Sequence, residues 1–331
     1  MTPLPEPIDG ISFRHFGGDE DYAGMVEVLN KSSRHDGIDR HETVEDMSHG
    51  YHHLTNCDLD TDLIIAEQDH GIVGYRRVLW WIEEATGDRV LAHVGWVHPA
   101  IRQHGVGTIL VGWSESRLRD VSEEHTHDGR QVFEAWAEVG EAEATADLIG
   151  MSYETTETYA EMRRSLADPI EDHPLPEGLE IRPVTPADRR MVWEADQEAF
   201  RDHVGFSPAT EADYEEFAGR RTMVPDLWKV AFDGDLIAGQ VLNYVDPAEN
   251  DALGRLRGWT EWISTQRPWR GKGVAKALIT ESMRMFEEMG MTEVGLGVHT
   301  TNPTGAYQLY EGLGYCVTSQ THEFRKSFEA R

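Results

Sequence analysis

The segment Arg270-Gly271-Lys272-Gly273-Val274-Ala275 is the part of this 331-residue chain whose residue types point most directly to chemistry. Its glycines let the backbone approach a ligand closely. A β-rich run precedes the segment and an apolar helical pattern follows it. Its amides are therefore expected at a helix start, where the helix dipole favours an anion. Arg270 and Lys272 add positive charge. Arg102-Gln103-His104-Gly105-Val106-Gly107 repeats the pattern in the same context, with Val97 at the end of the strand before it. One glycine-rich turn is weak, but two in register predict anion binding, and a pyrophosphate suits a loop of this kind. The Gly-Lys-Ser/Thr ending of a Walker loop is missing, and antiparallel strands before the turn argue against a Rossmann fingerprint.

Two other constellations carry less. His49, His53 and Cys57 recur at intervals of four, a spacing one helical face could gather around zinc. No fourth ligand is evident, and no metal is expected. Cys316 follows Tyr315 in a predicted strand, where cysteine is expected to be a small buried hydrophobe rather than a nucleophile.

The elements that must position these loops come in duplicate. Asp9-Gly10-Ile11-Ser12-Phe13-Arg14 recurs as Glu177-Gly178-Leu179-Glu180-Ile181-Arg182, and the hairpin-like run 64–78 recurs at 229–243. The two glycine-rich loops follow in the same order, then Gly150-Met151-Ser152-Tyr153 and Gly312-Leu313-Gly314-Tyr315. An internal repeat of this length predicts two copies of one domain. The proline-rich, acidic stretch 166–178 reads as a stiff connector, giving domains at 1–165 and 179–331. Each copy reads as α+β. In the second, strands are expected at 229–233, 236–245 and 258–265. A helix bearing Ala275, Leu278, Ile279, Phe286 and Met289 on one face follows and ends at Gly290.

On these residues the chain resembles the GNAT acetyltransferase superfamily. Arg270-x-x-Gly273-x-Ala275 and Arg102-x-x-Gly105-x-Gly107 look like its coenzyme A signature, and Asn302-Pro303-Thr304-Gly305-Ala306 with Tyr310 and Leu313-Gly314-Tyr315 fits the same pattern. The tandem arrangement is similar to mycothiol synthase-type acetyltransferases. The resemblance implies two GNAT-like domains, each a mixed, mostly antiparallel sheet that splays to admit acetyl-CoA as cosubstrate. It implies that the pyrophosphate lies on the amides of Gly271 to Ala275 and that the pantetheine arm pairs near Ser264 and Thr265. Tyr310 matches the tyrosine that protonates the leaving thiolate. Glu261, on the strand before the loop, is the expected base, with His299 as its alternative. The amine acceptor is expected among Phe200, His203 and Phe206, with Trp228 and Tyr244. The first copy has Leu148 opposite Tyr310 and Gly140 opposite Asn302, so it is expected to bind coenzyme through Arg102 to Gly107 without doing chemistry.

Composition narrows the partners. Sixty acidic against 30 basic residues give a net charge of -30, which repels nucleic acid and favours a cationic acceptor. Mean hydropathy is -0.51, no stretch approaches the roughly 20 apolar residues of a membrane helix, and no signal peptide is visible at the N-terminus. Two cysteines in different halves make no disulfide framework, so a cytoplasmic enzyme is expected, monomeric or homodimeric. The reading is an N-acetyltransferase acting on a small-molecule amine. Its rivals are a non-catalytic acyl-CoA sensor and an aminoacyl-tRNA-dependent transferase.

Overall fold

A computed structural model describes residues 2–203, 205–302 and 305–329, which leaves Val204, Pro303 and Thr304 outside the described residues. The chain forms two compact units, Met1–Thr158 with Gln320–Arg331, and Tyr159–Ser319.

The first unit runs β1 (Ser12–His15), α1 (Tyr22–His35), α2 (Val44–His52), α3 (Leu59–Asp62), β2 (Leu63–Gln68), β3 (Gly71–Ile82), β4 (Arg89–Val97), α4 (Val106–Glu124), β5 (Gln131–Glu138) and α5 (Ala142–Gly150). After β6 (Glu154–Ser165) the order recurs, with no α-helix among the described residues in the place of α3 and one added helix before the fourth strand. It runs β7 (Glu180–Arg182), α6 (Arg189–Phe200), α7 (Glu211–Gly219), β8 (Lys229–Asp233), β9 (Leu236–Tyr244), α8 (Pro247–Leu253), β10 (Arg257–Thr265), α9 (Val274–Glu288), β11 (Glu293–His299), α10 (Ala306–Gly312) and β12 (Cys316–Ser327).

In the first unit β1 to β4 are antiparallel neighbours in chain order, β4 and β5 are parallel, and residues 321–327 of β12 close the sheet against β5. In the second, β7 to β10 are antiparallel, β10 and β11 are parallel, and residues 159–165 of β6 close it against β11. The units therefore differ from the expected 1–165 and 179–331 by their closing strands. β5 and β11 each need a partner for their outer N–H and C=O groups, and alternation along a strand does not name the strand it will join.

Helices cover both faces of each sheet, and period-two alternation sends side chains to each. In β2, Ile64 and Ala66 join the cluster under α4, while Leu63 and Ile65 pack under α1. In the second unit Ala231 joins the α9 cluster while Val230 and Phe232 face α6 and α7. Helix α9 buries Val274, Leu278, Ile279, Met283 and Phe286, and Gly290 stops it at φ 81°. Two of the expected face residues depart from that line: Ala275 is half-buried and Met289, one residue past the helix, is 44% exposed. Gly258 is required because a Cβ there would lie 2.5 Å from the Phe286 ring. Cys316, expected to be buried, is exposed at the start of β12. No helix among the described residues is long and apolar enough to cross a membrane.

One buried cluster in the first unit gathers three carboxylates around Arg325. Arg325 donates to Glu134 at 2.6 Å and Glu83 at 2.7 Å and lies 2.9 Å from Glu323, and all three carboxylates are buried. Burial and the neighbouring Glu323 push the Glu134 carboxyl up to about 8, against the pull of Arg325. Arg325→Met leaves these carboxylates without their cation and is expected to cost about 3–5 kcal/mol. The measurement is the denaturation midpoint, and an unchanged midpoint contradicts the assignment.

Candidate active site

The site begins where two parallel strands part. β10 and β11 pair at Arg257, Gly258 and Trp259 against Glu293, Val294 and Gly295, and no further pairing follows along these strands. On its other side β10 shifts register against β9 between Glu261 and Ser264, and Trp262 takes a left-handed φ of 42°. Such a bulge bends the strand and re-aims its side chains. Glu261 is the residue this serves. Its Oε1 accepts the Gly297 N–H of β11 at 2.8 Å across the opening. Burial pushes the Glu261 carboxyl up to about 7, Glu161 adds to the rise, and the Gly297 N–H opposes it.

Glu261, Ser264, Thr265, His299, Asn302 and Tyr310 line one pocket of about 510 Å³. Tyr310 comes from α10, which starts after Gly305 at φ 76°. Its phenol is held above its usual range, first by burial and then by the Glu261 charge. Tyr315, edge-on to Tyr310 at 6.2 Å, instead bonds its hydroxyl to Thr260 at 2.9 Å. His299 stacks on Tyr159 at 4.9 Å and lies 5.8 Å from the ring of His203. His203 in turn is 3.4 Å from the Asn302 amide.

The glycine-rich loop forms the pocket rim. Gly271 and Gly273 take φ of 71° and 92°, and Gly273 caps α9 with no side-chain cap. The first-turn amides of a helix have no preceding carbonyl to meet, so they are available to an anion. Arg270 lines the pocket, but its guanidinium braces the loop. It donates to the Thr265 carbonyl at 3.1 Å, Asp202 at 2.9 Å and the Ala199 carbonyl at 2.8 Å. Lys272 is exposed and lies 4.6 Å from the centre of the Trp269 ring. Val274 belongs to the core cluster, and both it and Ala275 line the pocket.

Of the expected acceptor residues, Phe200 and His203 line the pocket and the other three do not. Trp228 is buried beside Phe217, Tyr244 stacks on Trp259, and Phe206 is half-buried elsewhere. Sequence reasoning missed Trp269, Lys276, Gly297 and Leu309 on the wall. It also missed Asp196 behind it, which interacts with Gln240 and Ser264 and is raised to about 7 by burial. Helical spacing of three from Gly273 and Ala306 could have flagged Lys276 and Leu309. Nothing in the sequence marks Asp196.

The first unit reproduces the frame and not the interior. Arg102 braces its loop the same way, donating to the Val97 carbonyl at 3.2 Å and to Asp36 at 2.7 Å. Gly105 caps α4 at φ 73°, Val106 is core, Gln103 is exposed, and His104 reaches Asp9 at 3.2 Å. His93 stands where Thr260 stands in the second unit, since each bonds the hydroxyl of the equivalent tyrosine, and Val94 takes the place of Glu261. His93 is buried against Arg76 at 2.5 Å and Tyr153 at 2.9 Å, and burial drives its pKa well below the usual histidine range. His49 and His53 are ring neighbours at 4.6 Å, but burial raises the Cys57 thiol to about 12, which opposes the thiolate a metal needs. Among the described residues no group of three or more metal-type side chains forms.

Residues 189–315 match the model of the acetyltransferase (GNAT) family. A mycothiol acetyltransferase of Salinispora arenicola is 30% identical over 250 residues, covering 70% of this chain and 71% of the relative. The chain belongs to the GNAT acetyltransferase family. A GCN5-related N-acetyltransferase from Sphaerobacter thermophilus superposes with a TM-score of 0.72 at 25% identity, covering 98% of this chain and 97% of the other. A tandem GNAT protein of the clavulanic acid biosynthesis pathway has a TM-score of 0.65 at 15% identity, covering 96% and 98%, and shares the fold. The protein is thus a GNAT N-acetyltransferase, of a family that uses acyl-CoA cosubstrates.

The brace yields a test. Arg270→Met removes bonds to two backbone carbonyls and Asp202, Arg102→Met removes bonds to one carbonyl and Asp36, and each is expected to lower unfolding free energy by about 1–3 kcal/mol. Chemical denaturation measures it. Unchanged stability in both variants would contradict a structural role.

Proposed function

We propose that this GNAT enzyme transfers acetyl from acetyl-CoA to the primary amine of a small molecule, and does so in its second unit. The observation that supports this reading is that Glu261 and Tyr310 face one pocket whose rim is the N-terminus of α9. The amides from Gly271 to Ala275 would hold the pyrophosphate, and the thioester arm would enter where β10 and β11 part. Glu261, poised near 7, would take the proton of the ammonium directly or through water. The amine then attacks the carbonyl carbon, a backbone amide near Ser264 or Thr265 meets the oxyanion, and the thiolate leaves. Tyr310, kept protonated by its raised pKa, would supply the thiolate's proton. His299 is buried and ring-stacked, which favours a shaping role at the acceptor end with Phe200 and His203. The net charge of -30 raises the local concentration of a cationic acceptor. The name of the Salinispora relative makes the amine precursor of mycothiol the first acceptor to try, alongside aminoglycosides and polyamines.

The test is release of free thiol from acetyl-CoA in the presence of an amine panel. Tyr310→Phe is expected to lower kcat by about a hundredfold or more while coenzyme affinity stays within a few-fold. Undiminished turnover would sink the assignment. Glu261 must be ionised to act as base, so kcat/KM should rise with pH through about 7. Glu261→Gln should lose that rise together with most of the rate, and a variant that kept the same pH limb would exclude Glu261 as the base.

A further inference from the structure

The first unit carries an anion of its own at the place where its loop would receive one. Aligning Gly150 with Gly312 sets Asp147 of α5 opposite Leu309 of α10, and Gly107 opposite Ala275. Leu309 and Ala275 line the open pocket of the second unit. Asp147 instead lies over the first turn of α4. Its Oδ1 accepts the Thr108 hydroxyl at 2.6 Å, and a Cβ at Gly107 would collide with its carboxylate. A negative charge there is favoured by the α4 dipole, as a phosphate would be. Asp147 also faces Arg76, the buried cation beneath the cleft, which it helps to keep charged.

The surrounding cleft has closed to match. Trp96 stands opposite Ser264 in the repeat and bonds Glu141 at 3.1 Å. Arg40 spans the cleft to Glu138, and Glu143 approaches the braced Arg102 at 3.3 Å. About 100 Å³ remains, against about 510 Å³ in the second unit. A coenzyme pyrophosphate entering at this first turn would approach the Asp147 carboxylate, with Glu143 beside Arg102. Like charges juxtaposed in this way cost several kcal/mol.

We infer that Asp147 is a built-in substitute for the pyrophosphate, so that the first unit excludes coenzyme and the chain takes one coenzyme molecule. This rests on the proposed coenzyme site in the second unit and replaces the expectation of two occupied loops. In the first unit the glycine-rich loop then serves as a helix cap braced by Arg102.

Calorimetric titration of the full chain with coenzyme A tests it. One molecule bound per chain is expected, and two would overturn the inference. None would overturn the coenzyme reading of the second unit itself, a separate failure. Asp147→Ala, or Asp147→Asn if the alanine variant does not fold, is expected to raise the count to two. A folded variant that still binds one would remove Asp147 as the barrier. Leu309→Asp carries the same carboxylate into the second unit and is expected to weaken its coenzyme affinity by at least about a hundredfold. Unchanged affinity there would contradict the mechanism of exclusion.

Discussion

Two parallel strands that stop pairing leave backbone N–H and C=O groups facing a gap, and inside a protein each such group carries a desolvation cost unless something meets it. In the second unit β10 and β11 stop at Trp259 and Gly295, and the Glu261 carboxylate reaches across to the Gly297 N–H. The bond holds one orphaned amide and, with it, holds the carboxylate in the opening. The Trp262 bulge that re-aims Glu261 takes a strained left-handed residue to form. Pocket, base and strand geometry therefore share one cause, the divergence of the sheet.

The same frame in the first unit shows how a fold can be kept while its interior changes. Arg102 and Arg270 tie a strand-end carbonyl to an aspartate after the preceding helix, Asp36 in one unit and Asp202 in the other. That brace positions the glycine-rich turn whether or not anything binds it. With the frame secured locally, the interior was free to diverge: Val94 stands for Glu261, Leu148 for Tyr310, and Asp147 for Leu309 in the repeat. His93, Arg76 and Tyr153 form a buried polar chain in which burial keeps the histidine neutral beside a cation. Such a chain satisfies the groups exposed by the splay without leaving room for a ligand.

Much of the site was legible because its signals are local. The glycines at positive φ and the buried positions Leu278, Ile279 and Phe286 of α9 depend on neighbours a few residues away. The acceptor wall was legible only in part. Phe200 and His203 face the pocket while Trp228 and Tyr244 pack in the core, because an aromatic residue carries the same sequence signature in either place. Arg270 was expected to offer charge to an anion, yet its bonds go to protein carbonyls and Asp202, partners that lie 5 to 71 residues away.

The sequence alone determined the repeat, the order of elements in each copy, the two helix-capping loops and the family. These follow from periodicity and turn chemistry, which act over short stretches of chain. Tertiary structure decided which strand closes each sheet, since edge hydrogen bonds accept any suitably extended partner. It also decided that Asp147 lies over the α4 first turn, a meeting of residues 39 and more positions apart that no local pattern encodes. Charge and burial at such meetings are set by packing, and packing separates the open pocket of one unit from the closed cleft of the other.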